Sequence, residues 1–139
     1  MKIFTDKISF ETKGNCDIID ITSRIKEILE KSEIKDGILS VFVAGATGAI
    51  TTIEYEPGLV ADFQNLLKKI APENGEYNHN ITHSDKNAAS HLRASLLGPA
   101  VTIPIEKSEM ILGTWQQVVF VDMDNCHRER KIIVKIIGV

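Results

Sequence analysis

The chain has 139 residues, 43% apolar and 25% charged, with a net charge of −3, the profile of a single soluble globular domain spanning residues 1–139. Acids and bases are interspersed, which argues against a nucleic-acid footprint, and no run approaches the roughly 20 apolar residues of a membrane span. A chain of this length buries roughly 70% of its unfolded surface and needs no staples to fold.

Residues 2–11 alternate apolar and polar, with Ile3, Thr5, Ile8 and Phe10 among charges, as in a half-buried strand. This start also lacks an apolar signal core, so the expected location is the cytoplasm. From Ile21 the period lengthens. Ile21, Ile25, Ile28 and Leu29 mark one helical face that Lys35-Asp36-Gly37 stops. The β-branched run 38–43 reads as a buried strand and 50–54 as another, with the glycine-bearing segment Gly45-Ala-Thr-Gly-Ala49 between them.

Pro57 opens a second helix in a favoured first-turn position, with Leu59, Phe63, Leu66, Leu67 and Ile70 as its stripe. Residues 77–93, YNHNITHSDKNAASHLR, follow as a polar loop. Asp85 or Asn87 then caps a third helix over 88–97, closed by Gly98-Pro99. Residues 101–105, 117–122 and 131–137 read as strands. About three helices and seven or eight strands, with the last strands consecutive, predict an α+β domain with mixed or antiparallel sheets. Cys16 and Cys126 stand far apart, outside any C-x-x-C pair, and are expected to be free thiols in a reducing compartment.

Three of the four histidines fall within 77–93. His79 and His83 are placed in a loop. His91 sits at the border of the third helix's buried face, with Leu92, Leu96 and Ala89 adjoining and small Ala88 and Ser95 leaving room for a ligand. Neutral imidazole is the commonest metal ligand, and a catalytic zinc takes three protein ligands. His79 and His91 are thus candidate metal ligands, for zinc or magnesium, if a third group joins them.

Gly45, Thr47 and Gly48 can let a backbone approach an anion, although no G-K-[ST] follows and a β-bulge explains them equally well. Glu54 ends a strand where a base or ligand can point into a cleft, while Glu56 suits a helix cap. Trp115 is a core residue or a platform for a flat ring, and Gln116 can read a ring edge. Arg128 and Arg130 alternate on a strand and so share a face, which suits a phosphate or a subunit contact. Residues alone lead to an α+β domain with a polar site around His79, Asp85, Asn87 and His91.

The stretches EYEPGL (54–59) with Asp62, Pro72 with Tyr77-Asn-His79, Asn87 with His91-Leu92, GPAVTIP (98–104), LGTWQ (112–116) and Arg128-Glu-Arg130 occur in that order. Together they resemble the YjbQ-like family, whose members are called secondary thiamine-phosphate synthases. The resemblance spans essentially the whole chain. It implies an α+β protomer whose sheets pack around the threefold axis of a homotrimer, and a histidine-rich site that holds a divalent metal in some members.

The catalytic set the resemblance implies is His79, His91, Glu54 and Asn87. The substrate side is Gly45, Thr47, Gly48, Asp85, Trp115, Gln116, Arg128 and Arg130, with Arg93 as a further phosphate candidate. The implied reaction joins a pyrimidine methyl diphosphate to a thiazole phosphate. One departure stands out. Where many members carry His-Thr-Thr, this chain has Gly45-Ala46-Thr47, so His83 can serve as a third ligand only if its loop turns inward. The rival expectations are a metal-dependent hydrolase, or a metal or small-molecule binder, with its site at His79 and His91, and a non-enzymatic homotrimer.

Overall fold

A computed structural model describes residues 1–139. The strands are β1 (Lys2–Thr12), β2 (Asp17–Asp20), β3 (Gly37–Val43), β4 (Gly48–Ile53), β5 (Ala100–Glu106), β6 (Glu109–Met110), β7 (Gln117–Asp122) and β8 (Arg128–Gly138). The helices are α1 (Thr22–Ser32), α2 (Pro57–Ile70), α3 (Asn78–Thr82) and α4 (Ala88–Leu97). The strands form a five-stranded sheet in the order β1-β8-β3-β5-β6 and a three-stranded sheet in the order β2-β7-β4. Every pairing is antiparallel. The α+β expectation holds, with antiparallel sheets and a fourth helix. No helix is long and apolar enough to cross a membrane.

Two apolar layers hold the fold together. The larger lies between the five-stranded sheet, α1 and one face of the three-stranded sheet, and includes Ile25, Leu39, Ile50, Phe120 and Ile136. The smaller lies on the opposite face of the three-stranded sheet. There Ala49, Val119 and Val121 meet Leu67 of α2 and Ala94 of α4. Covering both faces explains why β7 reads as an unbroken apolar run rather than an alternating one. Gly37 and Gly138 pair directly, and a side-chain carbon on Gly37 would collide with the Ile137 carbonyl oxygen.

Several boundaries differ from expectation. The helix α3 forms where a loop was expected. Its bonds are those of a single turn, Asn80 N to Tyr77 O and His83 N to His79 O, and its polar residues carry no apolar period to read. Helix α1 stops at Ser32, not at the Lys35-Asp36-Gly37 signal, because Glu33 already turns left-handed. Asn87 occupies the N-cap position of α4 but caps nothing with its side chain. Asn80 Oδ1 accepts from Ala88 N instead, and Asp85 is exposed. Glu56 does cap α2, accepting from Gly58 N and Leu59 N at 2.8 Å each.

Two expected apolar stripes lie partly in the open: Leu59, Leu66 and Ile70 of α2, and Leu92 and Leu96 of α4. The buried side of α4 is Ala88, Ala89, Ser90, Arg93 and Ala94. The outer face of the five-stranded sheet is also uncovered. Its register aligns Ile3, Ile137, Ile38 and Pro104 in one row across four strands.

Candidate functional site

The connection between β3 and β4 carries Gly45, Ala46 and Thr47, and α4 packs beside β4. Between them lies a cavity of about 240 Å³ lined by Gly45, Ala46, Gly48, His91, Ala94, Ser95, Gly98 and Pro99. Small residues on both walls make that space, and His91 is its one titratable side chain. His79 meets His91 edge-on, ring centres 5.1 Å apart. His83 stacks flat on His79 at 4.2 Å, its rings within 11° of parallel. The Nε2 of His79 lies 3.2 Å from Asn87 Oδ1. With the amide oxygen as acceptor, His79 donates from Nε2. The structure thus brings His79, His83, Asn87 and His91 together beside the glycine-bearing connection.

Behind that connection lies a polar network. Asp122 is fully buried. It accepts from Arg130 Nε at 2.7 Å, from Arg130 Nη2 at 2.8 Å, from Asp124 N at 2.9 Å and from the Thr12 hydroxyl. Four donors offset the cost of burying this carboxylate. Arg130 Nη2 also donates to Thr47 Oγ1 at 3.0 Å, and Thr47 O accepts from Met123 N at 2.8 Å. The loop is therefore tied to the turn after β7 through its backbone and to Arg130 of β8 through its side chain.

Asp124 is the second acid of this network. Burial pushes its carboxyl up, but Arg128 at 2.8 Å, the Asn125 amide and the Thr47 hydroxyl together outweigh that and hold it below its usual range. Arg128 and Arg130 do share a face, as their alternation implied, and there each is paired with an aspartate. Asp122 and Asp124 escaped the sequence reading. The available signal was a pair of alternating acids closing an apolar strand, six residues before a pair of alternating arginines. Arg93 is buried and donates to the Ala71 carbonyl through Nε at 2.9 Å and Nη2 at 2.6 Å, tying α4 to the end of α2. Asp85 is exposed and lines none of the cavities described.

The remaining candidates are elsewhere. Glu54 and Trp115 line a different cavity of about 460 Å³ with Asp20, Tyr55, Glu56 and Gln117. That cavity lies at the far end of β4, where Ile53 pairs with Gln117, whereas Gly48 pairs with Asp122. Five residue steps of about 3.3 Å put the two ends about 17 Å apart. Gln116 accepts from Gly113 N at 3.0 Å and donates to Thr52 Oγ1 at 3.2 Å. Glu54, Trp115 and Gln116 therefore do not join the histidines within one chain.

The expected metal pair also lacks a partner. One nitrogen of His79 is engaged with Asn87, His83 lies flat against the His79 ring, and no three His, Cys, Asp or Glu side chains come together in a group able to hold one ion. The residues as arranged do not fit a metal centre within the chain. Cys16 is buried and Cys126 exposed, both free.

Over 138 residues the chain is 40% identical to a UPF0047 protein of Methanothermobacter thermautotrophicus, covering 99% of this chain and 94% of that one. Its backbone matches the crystal structure of a YbjQ-like protein of unknown function from Sulfolobus solfataricus with a TM-score of 0.95, at 36% identity over 99% of both chains. An uncharacterized conserved protein of the YjbQ/UPF0047 family from Clostridium acetobutylicum matches with a TM-score of 0.87, at 34% identity, over 95% of this chain and 99% of that one. The family model described as UPF0047 protein YjbQ-like matches residues 6–139, and the chain belongs to that family.

Proposed function

We propose that the histidine cleft is the active site of a transferase acting on phosphorylated heterocycles, as in the secondary thiamine-phosphate synthases that the chain resembles. One observation carries the reading: His91 faces the glycine-lined connection across an open cavity while Asn87 orients His79 beside it. In this reaction the C–O bond between the pyrimidine methylene and its diphosphate breaks. A C–N bond to the thiazole nitrogen forms, and pyrophosphate leaves. Charge develops on the leaving oxygen, so an imidazole N–H within hydrogen-bond reach of it stabilises the transition state. In this reading His91 makes that contact, with the His79 ring packed edge-on beside it. The free thiols accord with a reducing, cytoplasmic setting.

The test is formation of thiamine phosphate from the pyrimidine diphosphate and thiazole phosphate. His91→Ala and His79→Ala should each lower kcat about 100-fold or more, with the unfolding midpoint little changed. Full turnover in both variants, or none in the wild type, would rule the reading out.

A second observation supports assembly. The row Ile3, Ile137, Ile38 and Pro104 on the open sheet face is the kind of apolar surface that a subunit contact covers. We infer a homotrimer, which light scattering should report as three times the 15.4 kDa chain mass. A monomer at micromolar concentration would refute it.

A further inference from the structure

A second cavity, of about 450 Å³, lies on the other side of the β3–β4 connection, lined by Lys7, Val43, Ala44, Glu129, Arg130, Lys131 and Ile133. Its origin is a mismatch in strand length. Strand β3 ends at Val43, opposite Ile132, so residues 128–131 of β8 run on with no partner on that side. Lys7 pairs with Ile133 and Ser9 with Lys131, so Lys7 and Lys131 are diagonal neighbours on one face, within reach of a common ligand.

The cations here differ in how far they are already satisfied. The chain's two ion pairs are Arg128 with Asp124 and Arg130 with Asp122, so neither lysine has a carboxylate partner. Arg130 spends Nε and Nη2 on Asp122 and Thr47, while its Nη1 makes no hydrogen bond within the chain. That atom lies beside Gly45. A side-chain carbon at Gly45 would have Arg130 Nη1 as its one neighbour within 4 Å, at 3.6 Å. The Arg130 side chain is only 11% exposed and its Nε and Nη2 are held by Asp122 and Thr47, so its position is set before any ligand arrives.

We propose that this cavity is an anion subsite for a phosphate or diphosphate group. Lys7 and Lys131 supply the unpaired charge, and Arg130 Nη1 supplies a directed donor. The two lysines favour a dianion or higher over a monoanion, and Glu129 at the rim offsets part of their charge. The proposal deepens the transferase reading. The histidine cleft and this cavity flank the same connection, and Gly45 has no side chain to separate them. A ligand lying across Gly45 can set its ring against His91 and its phosphoryl tail between the lysines.

Calorimetric titration with pyrophosphate and with inorganic phosphate tests this, using wild type, the Lys7→Ala/Lys131→Ala double variant, and Lys135→Ala. Lys135 shares the same sheet face and does not line the cavity. Pyrophosphate should bind wild type more tightly than phosphate. The double variant should lose about tenfold or more in affinity, and Lys135→Ala should stay within about twofold. Titration with the thiazole phosphate and the pyrimidine diphosphate tells a free anion from an organic one: the tighter the organic ligand relative to its bare anion, the more of it lies across Gly45. Unchanged pyrophosphate binding in the double variant, or no saturable binding by wild type, would overturn the inference. The turnover assay with His91→Ala is read separately. A loss there alongside unaltered anion binding in the lysine double variant would sink the subsite and leave the transferase reading standing.

Discussion

At the Gly48 end of the three-stranded sheet, Asp122 and Asp124 are buried and each holds an arginine. Hydrogen bonds from Thr47 to Asp124 and from Met123 N to Thr47 O fasten the β3–β4 connection to the turn that follows β7, and Thr12 of β1 donates to Asp122. At the Ile53 end, Glu54 is exposed, Trp115 is 70% exposed, and the polar contacts of Gln116 and Gln117 are to nearby surface groups. One end is preorganised by charges withdrawn from water, whereas the other waits to be covered. A site that must hold imidazoles and a loop to within fractions of an ångström belongs at the first end.

The largest effect that distinguishes the two ends should come from Asp122→Ala. It leaves the Arg130 side chain, 11% exposed, without its counter-charge, and the Thr12 hydroxyl with only the Arg128 carbonyl to donate to. A loss of about 3–5 kcal/mol in urea unfolding is expected. Replacing both partners, Asp122→Leu with Arg130→Met, should recover most of it, because the cost lies in the orphaned charge rather than in the missing bond. A loss under about 1 kcal/mol in the single variant would mean that the network does not organise this end.

Much of this architecture is legible in the sequence. The apolar run of β7, the alternation of β8 and the proline start of α2 each express a local period or a local backbone restriction. The common face of Arg128 and Arg130 followed from strand geometry alone. Their partners did not, because Asp122 and Asp124 meet them only through the turn at 123–127 and the register that sets Thr12 opposite Arg128. The histidines were legible as a group because His79, Asn87 and His91 are close in sequence. Glu54 and Trp115 were grouped with them although β4 holds them about 17 Å away. Sequence shows that a residue ends a strand, but the other sheet members decide which end faces which cavity. Short elements such as α3 and β6 carry too few residues for any period.

A smaller effect is expected from Asp124, whose partner Arg128 is 49% exposed. Its carboxyl is held below the ordinary value of 3.8 in the folded chain. The stability it contributes is therefore present above the unfolded-state pKa and is lost as pH falls through the lower folded value. Asp124→Asn should cost about 1–2 kcal/mol near neutral pH. The gap between variant and wild type should narrow as the pH falls below the unfolded-state value of about 3.9. A gap that stayed constant as the pH was taken from about 7 down through and below that value would show that the Asp124 charge contributes nothing to it.

The smallest effect is expected at the largest side chain. Trp115 would dominate a stability argument made from composition, since a buried tryptophan truncated to alanine costs about 3–5 kcal/mol. Here it is 70% exposed, on the rim of an open cavity, so most of its ring is already in water in the folded chain. Trp115→Ala should change the unfolding free energy of the dilute, dissociated chain by less than about 0.5 kcal/mol. A second copy or a ligand that covers the ring would make the same substitution costly only in its presence. Measuring the variant across protein concentration therefore separates the two contributions. A constant, near-zero difference assigns Trp115 to solvent, a difference that grows with concentration assigns it to the subunit contact, and a loss above about 2 kcal/mol at high dilution would mean that the ring packs within its own chain.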